Sequence, residues 1–133
     1  MYYIMVLHPM SKVLNNRLIW LDDERNPFKD KWVSFYSPIG TNCEIIWLKS
    51  FYEFKEEIDK NGIPDAICFD HDLSDVESSK EMTGYDCAKY LVDYCIDNDL
   101  DIPPYNIQSS NPSGKENISG LLNNYIKYRK TTS

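Results

Sequence analysis

Two short apolar runs in this chain stop abruptly at carboxylates, and that pattern limits the fold more than any other feature. Arg17-Leu18-Ile19-Trp20-Leu21 runs straight into Asp22-Asp23, and Asp65-Ala66-Ile67-Cys68-Phe69 into Asp70-His71-Asp72. About five residues that are nearly all apolar, without polar alternation, mark a strand buried on both faces. Two further runs, Glu44-Ile45-Ile46-Trp47-Leu48 and Tyr105-Asn106-Ile107-Gln108, read the same way. Helical signals separate them. Ser50 with Glu53 is a capping-box pair, Phe51, Phe54 and Ile58 share one helical face, and Gly62 stops that helix. Residues 84–97 place Ala88, Leu91, Val92 and Cys95 at helical spacing. Ile118, Leu121, Leu122, Tyr125 and Ile126 stripe a last helix that opens near Ser113, its expected N-cap.

Buried strands alternating with helices specify an α/β fold of three layers (αβα) around a parallel sheet of about four strands. Right-handed crossovers favour the order 2-1-3-4. Residues 24–42, with Pro27, Pro38 and Gly40, read as a long irregular stretch. Phe28, Trp32, Phe35 and Tyr36 within it suit a small satellite core, a partner surface or a platform for a base. With 133 residues the chain is one domain, residues 17–130, and residues 1–16 read as an N-terminal arm or extra strand.

The apolar start, Met1 to Pro9, has no basic leader and no small-residue cleavage site, and no apolar run reaches the roughly 20 residues a membrane span needs. The four cysteines (43, 68, 87 and 95) form no close pair and fall in apolar or helical surroundings, which points to buried thiols in a reducing, cytoplasmic setting. A net charge of −7 excludes non-specific grip on a nucleic-acid backbone. A small anionic ligand requires a cation or a local basic group to offset that field.

In an open α/β sheet, ligands bind beyond the carboxyl ends of the strands where the strand order reverses. Asp22, Asp23, Asp70 and Asp72 all fall there. Four carboxylates in a crevice repel unless their pKa values rise or a cation joins them. Oxygen ligands with room for water suit Mg²⁺ or Mn²⁺, with Asp22, Asp23 and Asp70 as the metal set. Arg25 suits a phosphate, or pairs with Glu24 or Asp72. His71 is either held by a carboxylate or acts as a general acid or base. Ser109, Asn111, Gly114 and Lys115 precede or open the last helix, and Thr83-Gly84 opens the one before it, on the same rim; free N–H groups there attract anions.

At these residues the chain resembles a receiver domain of two-component signalling. Leu21-Asp22-Asp23-Glu24 is similar to the metal-binding acids, Asp70 to the phospho-acceptor, Gly84 to the helix-opening glycine and Ser109 to the fourth-strand hydroxyl. The usual fifth strand with its lysine has no counterpart, which argues against phosphorelay. The chain resembles more closely the cyclic-phosphate-processing receiver-like domains. Leu21-Asp22-Asp23-Glu24-Arg25-Asn26-Pro27, Asp70-His71-Asp72-Leu73, Thr83-Gly84-Tyr85 and Ser109-Ser110-Asn111-Pro112-Ser113-Gly114 carry that likeness. In that family a histidine often stands where Gln108 stands here.

The resemblance implies a metal-dependent phosphoesterase acting on a cyclic or terminal phosphate of a nucleotide or RNA end. Asp70, with His71 and Asp72, would then be catalytic, Asp70 as metal ligand or as nucleophile. Arg25, Thr83, Gly84, Ser109, Asn111, Gly114 and Lys115 would bind substrate. The reading from another class is a non-catalytic module that binds a nucleotide or a protein partner through the same rim.

Overall fold

All four expected runs are strands of one sheet. The computed structural model describes residues 3–6, 16–73 and 81–132, with the backbone alone for 3–6; residues 1–2 and 7–15 of the expected arm and 74–80 of the loop after Asp72 lie outside the described residues. The elements are β1 (Tyr3–Val6), β2 (Arg17–Leu21), α1 (Trp32–Tyr36), β3 (Glu44–Leu48), α2 (Phe51–Asn61), β4 (Ala66–Phe69), α3 (Gly84–Asn98), β5 (Tyr105–Ile107) and α4 (Pro112–Thr132). The sheet order is β1-β3-β2-β4-β5. Its parallel part, β3-β2-β4-β5, is the expected 2-1-3-4 arrangement. β1 adds an antiparallel edge to β3, pairing Tyr3 with Trp47 and Val6 with Glu44.

Side chains alternate across a strand, so each apolar run feeds both faces. Ile19, Leu21, Ile46, Leu48, Ile67, Phe69 and Ile107 meet all three long helices in one core, which includes Phe54 and Ile58 of α2, Leu91 of α3, and Ile118 and Leu122 of α4. Leu18, Trp20, Ile45, Trp47, Ala66 and Cys68 face the other way, under α1 and its flanking loops. There Val33 is buried, and Phe28, Trp32 and Tyr36 pack against that second core, while Phe35 is 79% exposed. The long irregular stretch therefore serves as the second covering layer. All four cysteines are free and buried. Among the described residues no helix is long and apolar enough to cross a membrane.

Local signals account for most helix ends. Ser50 accepts the Glu53 N–H at 3.1 Å at the start of α2. Thr83 and Asp86 form a reciprocal capping box on α3. α4 starts two residues earlier than an N-cap at Ser113 would place it. Its cap is Asn111, whose Oδ1 accepts the Gly114 N–H at 3.0 Å, with Pro112 as the first helical residue; Ser113 is not the cap.

Arg17 anchors the start of β2. Its guanidinium donates to the Asn61 and Ile63 carbonyls at the end of α2, each at 3.3 Å, and to Glu57 Oε2 at 2.8 Å. Glu57 is fully buried. Arg17→Met is therefore expected to destabilise the fold by roughly 3–5 kcal/mol, because a buried carboxylate loses its cation. Urea denaturation checks this, and Arg17→Met combined with Glu57→Leu should recover most of the loss.

Candidate functional site

The parallel register continues one residue beyond the strands. The Asp22 N–H donates to the Leu48 carbonyl at 2.9 Å, Asp70 to Leu21 at 2.9 Å, and Gln108 to Phe69 at 3.0 Å. Asp22, Asp70 and Gln108 are thereby held in one row at the carboxyl edge. Asp22 is fully buried, Asp70 is 5% exposed and Gln108 2% exposed.

The two acids in that row have different support. Asp22 Oδ1 accepts the Glu24 and Arg25 backbone N–H groups at 2.9 and 2.8 Å, and Oδ2 faces Arg25 Nη1 at 3.1 Å and Gln108 Nε2 at 3.4 Å. Asp70 Oδ1 accepts the His71 N–H at 2.9 Å and sees Arg25 Nη1 only at 3.9 Å. Burial, then the charge of Asp22, pushes the Asp70 carboxyl up to about 7 against the pull of Arg25. Carboxylate oxygens of Asp22, Asp23 and Asp70 lie within 4.8 Å of one another. Three oxygen donors without sulfur or imidazole fit a hard divalent ion such as Mg²⁺ or Mn²⁺.

Asp72 stands apart from these three. Its side chain is 65% exposed and faces His71 Nδ1 at 2.8 Å and Asn111 Nδ2 at 3.2 Å. The His71 hydrogen bond, helped by Asn111, holds the Asp72 carboxyl below its usual range against a small burial penalty. The sequence grouped Asp72 with the other acids by proximity, but the chain turns after Asp70 and gives Asp72 to the imidazole.

Arg25 likewise takes neither expected partner. Its backbone is pinned at both ends, the N–H by Asp22 and the carbonyl by Trp20 Nε1 at 2.8 Å. That turn brings the side chain back over Asp22 and Asp70, with the guanidinium 5.6 Å from the Trp32 ring centroid.

Two glycines let the motifs close on one another. A Cβ on Gly84 would lie 1.8 Å from the Asp70 carbonyl oxygen, and the Gly84 N–H donates to the His71 carbonyl at 2.7 Å. A Cβ on Gly114 would lie 2.3 Å from the His71 ring, so the imidazole lies against the first turn of α4. His71, Asp72, Asn111 and Gly114 thus form one unit, with Ser109 beneath it accepting the Asn111 N–H at 3.1 Å. Thr83 spends its hydroxyl on the α3 cap. Lys115 is exposed and lines a groove with Tyr105, Asn106, Glu116, Ser119 and Asn123, which Asp22, Asp23, Asp70 and Asp72 do not line.

Two roles escaped sequence reasoning. Gln108 donates to the Leu21 carbonyl at 3.1 Å as well as to Asp22, so its amide braces the acid row. Trp47 Nε1 donates to the Asp22 carbonyl at 2.7 Å. A tryptophan near the end of a strand needs a partner for its indole N–H, and that was the available signal.

A comparison with curated protein sequences finds no match. A similar solved structure, a yeast Spc42 trimeric coiled-coil segment fused to another protein, aligns over 90% of this chain and 85% of that chain, with a TM-score of 0.52 and 11% identity. That likeness bears on the fold alone. The family model for the cyclic-phosphate processing receiver domain matches residues 17–124, across the acid row, the imidazole unit and both helix-opening glycines. The chain belongs to the cyclic-phosphate-processing receiver domain family.

Proposed function

We propose that this domain is a metal-dependent phosphoesterase acting on a cyclic or terminal phosphate of a nucleotide or RNA end. The observation that carries the reading is the convergence of buried Asp22 and Asp70 with half-buried Asp23, beside an imidazole that a carboxylate orients. Asp22, Asp23 and Asp70 would hold Mg²⁺ or Mn²⁺, which when bound neutralises phosphate charge and polarises a phosphoryl oxygen. Asp72 accepts from Nδ1 of His71, which leaves Nε2 to take or give a proton. Arg25 and Ser109 meet the phosphate oxygens. Asn111 and Gly114 fix the imidazole, Thr83 and Gly84 fix the turn after Asp70, and Lys115 adds positive charge at the rim. In a variant of this scheme Asp70 attacks the phosphorus, the ester oxygen leaves with a proton, and water then hydrolyses the aspartyl-phosphate to free Asp70.

One observation favours the non-catalytic module. Arg25 already gives Asp22 and Asp70 a cation, so the row can persist without metal, and the Gln108 amide offers no titrating proton. A nucleotide or a protein partner would then dock on the same rim, and the substrate would come back unchanged. Incubation with Mg²⁺ and cyclic-phosphate nucleotides, with products resolved by chromatography, separates the readings: intact substrate after prolonged exposure removes the enzyme.

The raised Asp70 pKa fixes a sign. An acid titrating near 7 when folded and near 4 when unfolded binds more protons in the folded state between those values. Its contribution therefore lowers stability as pH rises from about 4 to 7, by up to roughly 3–4 kcal/mol, and the penalty is complete above 7. Asp70→Asn is expected to remove this dependence and raise the melting temperature at pH 8 without metal. Millimolar Mg²⁺ should stabilise the parent protein more at pH 8 than at pH 5, and should not stabilise Asp70→Asn. Thermal unfolding across pH checks both statements.

His71→Ala is expected to lower turnover by roughly 10²–10⁴-fold, as read by steady-state kinetics. Gly114→Ala, which drives a methyl into the imidazole, should produce a similar loss with the fold retained, as read by circular dichroism.

A further inference from the structure

The Arg25 guanidinium lies against two of the three acids that converge at the carboxyl edge. Nη1 is 3.1 Å from Asp22 Oδ2 and 3.9 Å from Asp70 Oδ1, two of the three carboxylates whose oxygens converge within 4.8 Å. A protonated guanidinium has no lone pair to offer a metal, and a positive charge at that distance opposes a second cation. The Arg25 N–H and carbonyl are held by Asp22 and Trp20, so a displacement of Arg25 involves its side chain, which lies 5.6 Å from the Trp32 ring centroid.

We propose that Arg25 is an internal counter-cation that competes with the divalent ion for Asp22 and Asp70. Metal binding turns it out of the acid row and makes its donor fork available to the substrate phosphate. The inference rests on the metal reading given above and adds an order to it, metal first and phosphate second. An arginine that served the phosphate alone would have no reason to influence metal affinity or the stability of the metal-free protein.

The test measures Mg²⁺ binding by calorimetry, and melting temperature with and without Mg²⁺, for the parent protein, Arg25→Met and Arg25→Lys. In Arg25→Met the competing charge is gone, so Mg²⁺ should bind at least ~10-fold more tightly. The metal-free variant should melt lower than the parent, and saturating Mg²⁺ should close that gap. Arg25→Lys keeps a cation on a shorter reach and should bind Mg²⁺ much like the parent. If Arg25→Met is too unstable to handle without metal, Arg25→Gln replaces it with the same expected tightening. Equal Mg²⁺ affinity in the parent and the neutral variants overturns the competition and leaves the metal reading standing. A melting-temperature gap that persists at saturating Mg²⁺ also overturns it, since lost packing on Trp32 then explains the change. Absence of Mg²⁺ binding in every protein overturns the competition and the metal reading together.

Discussion

The parallel ladder does not stop where the strands stop, and the rest of the site hangs on that extra step. Asp22, Asp70 and Gln108 each donate a backbone N–H to the last residue of the neighbouring strand, so three polar side chains enter one buried row in fixed order. A slip of one residue would turn the same acids to the opposite face of the sheet. The register is held by apolar residues on both faces, Leu21 and Phe69 on one and Trp20 and Cys68 on the other. Two cores therefore clamp a charged edge that disfavours itself.

That self-repulsion is distributed unevenly, and the unevenness sets the chemistry. Asp22 receives two backbone donors, a guanidinium and an amide, whereas Asp70 receives one backbone donor and a distant guanidinium edge. Asp70, less supported and repelled by Asp22, therefore needs a further positive charge to ionise comfortably near neutrality. Catalytic and ligand-binding sites are often built from such pairs of like groups in unlike surroundings.

The strands, their order and the gathering of Asp22, Asp23 and Asp70 at one edge could be read from the sequence because each depends on local pattern: uninterrupted apolar runs, and acids at their ends. What could not be read depends on how the chain turns between elements. Asp72 is two residues from Asp70, yet it serves the imidazole, because Asn111 reaches across from the start of α4. Arg25 folds back on Asp22 because the same carboxylate captures its backbone N–H. Gly84 and Gly114 look like ordinary helix openers in sequence, but the first has no room for a methyl beside Asp70 and the second none beside His71. The long irregular stretch hid its role for a similar reason: its aromatics carry no periodicity, and only the open face of the sheet tells them where to lie.

All three tryptophans of the chain border the acid loop. Trp20 binds the Arg25 carbonyl through its indole, Trp47 binds the Asp22 carbonyl, and Trp32 lies under the Arg25 guanidinium. Indole emission responds to hydrogen bonding and to nearby charge, so the tryptophan fluorescence of this chain is sensitive to that loop. The protein carries its own optical reporter. Events at the carboxyl edge can be followed in solution without a label.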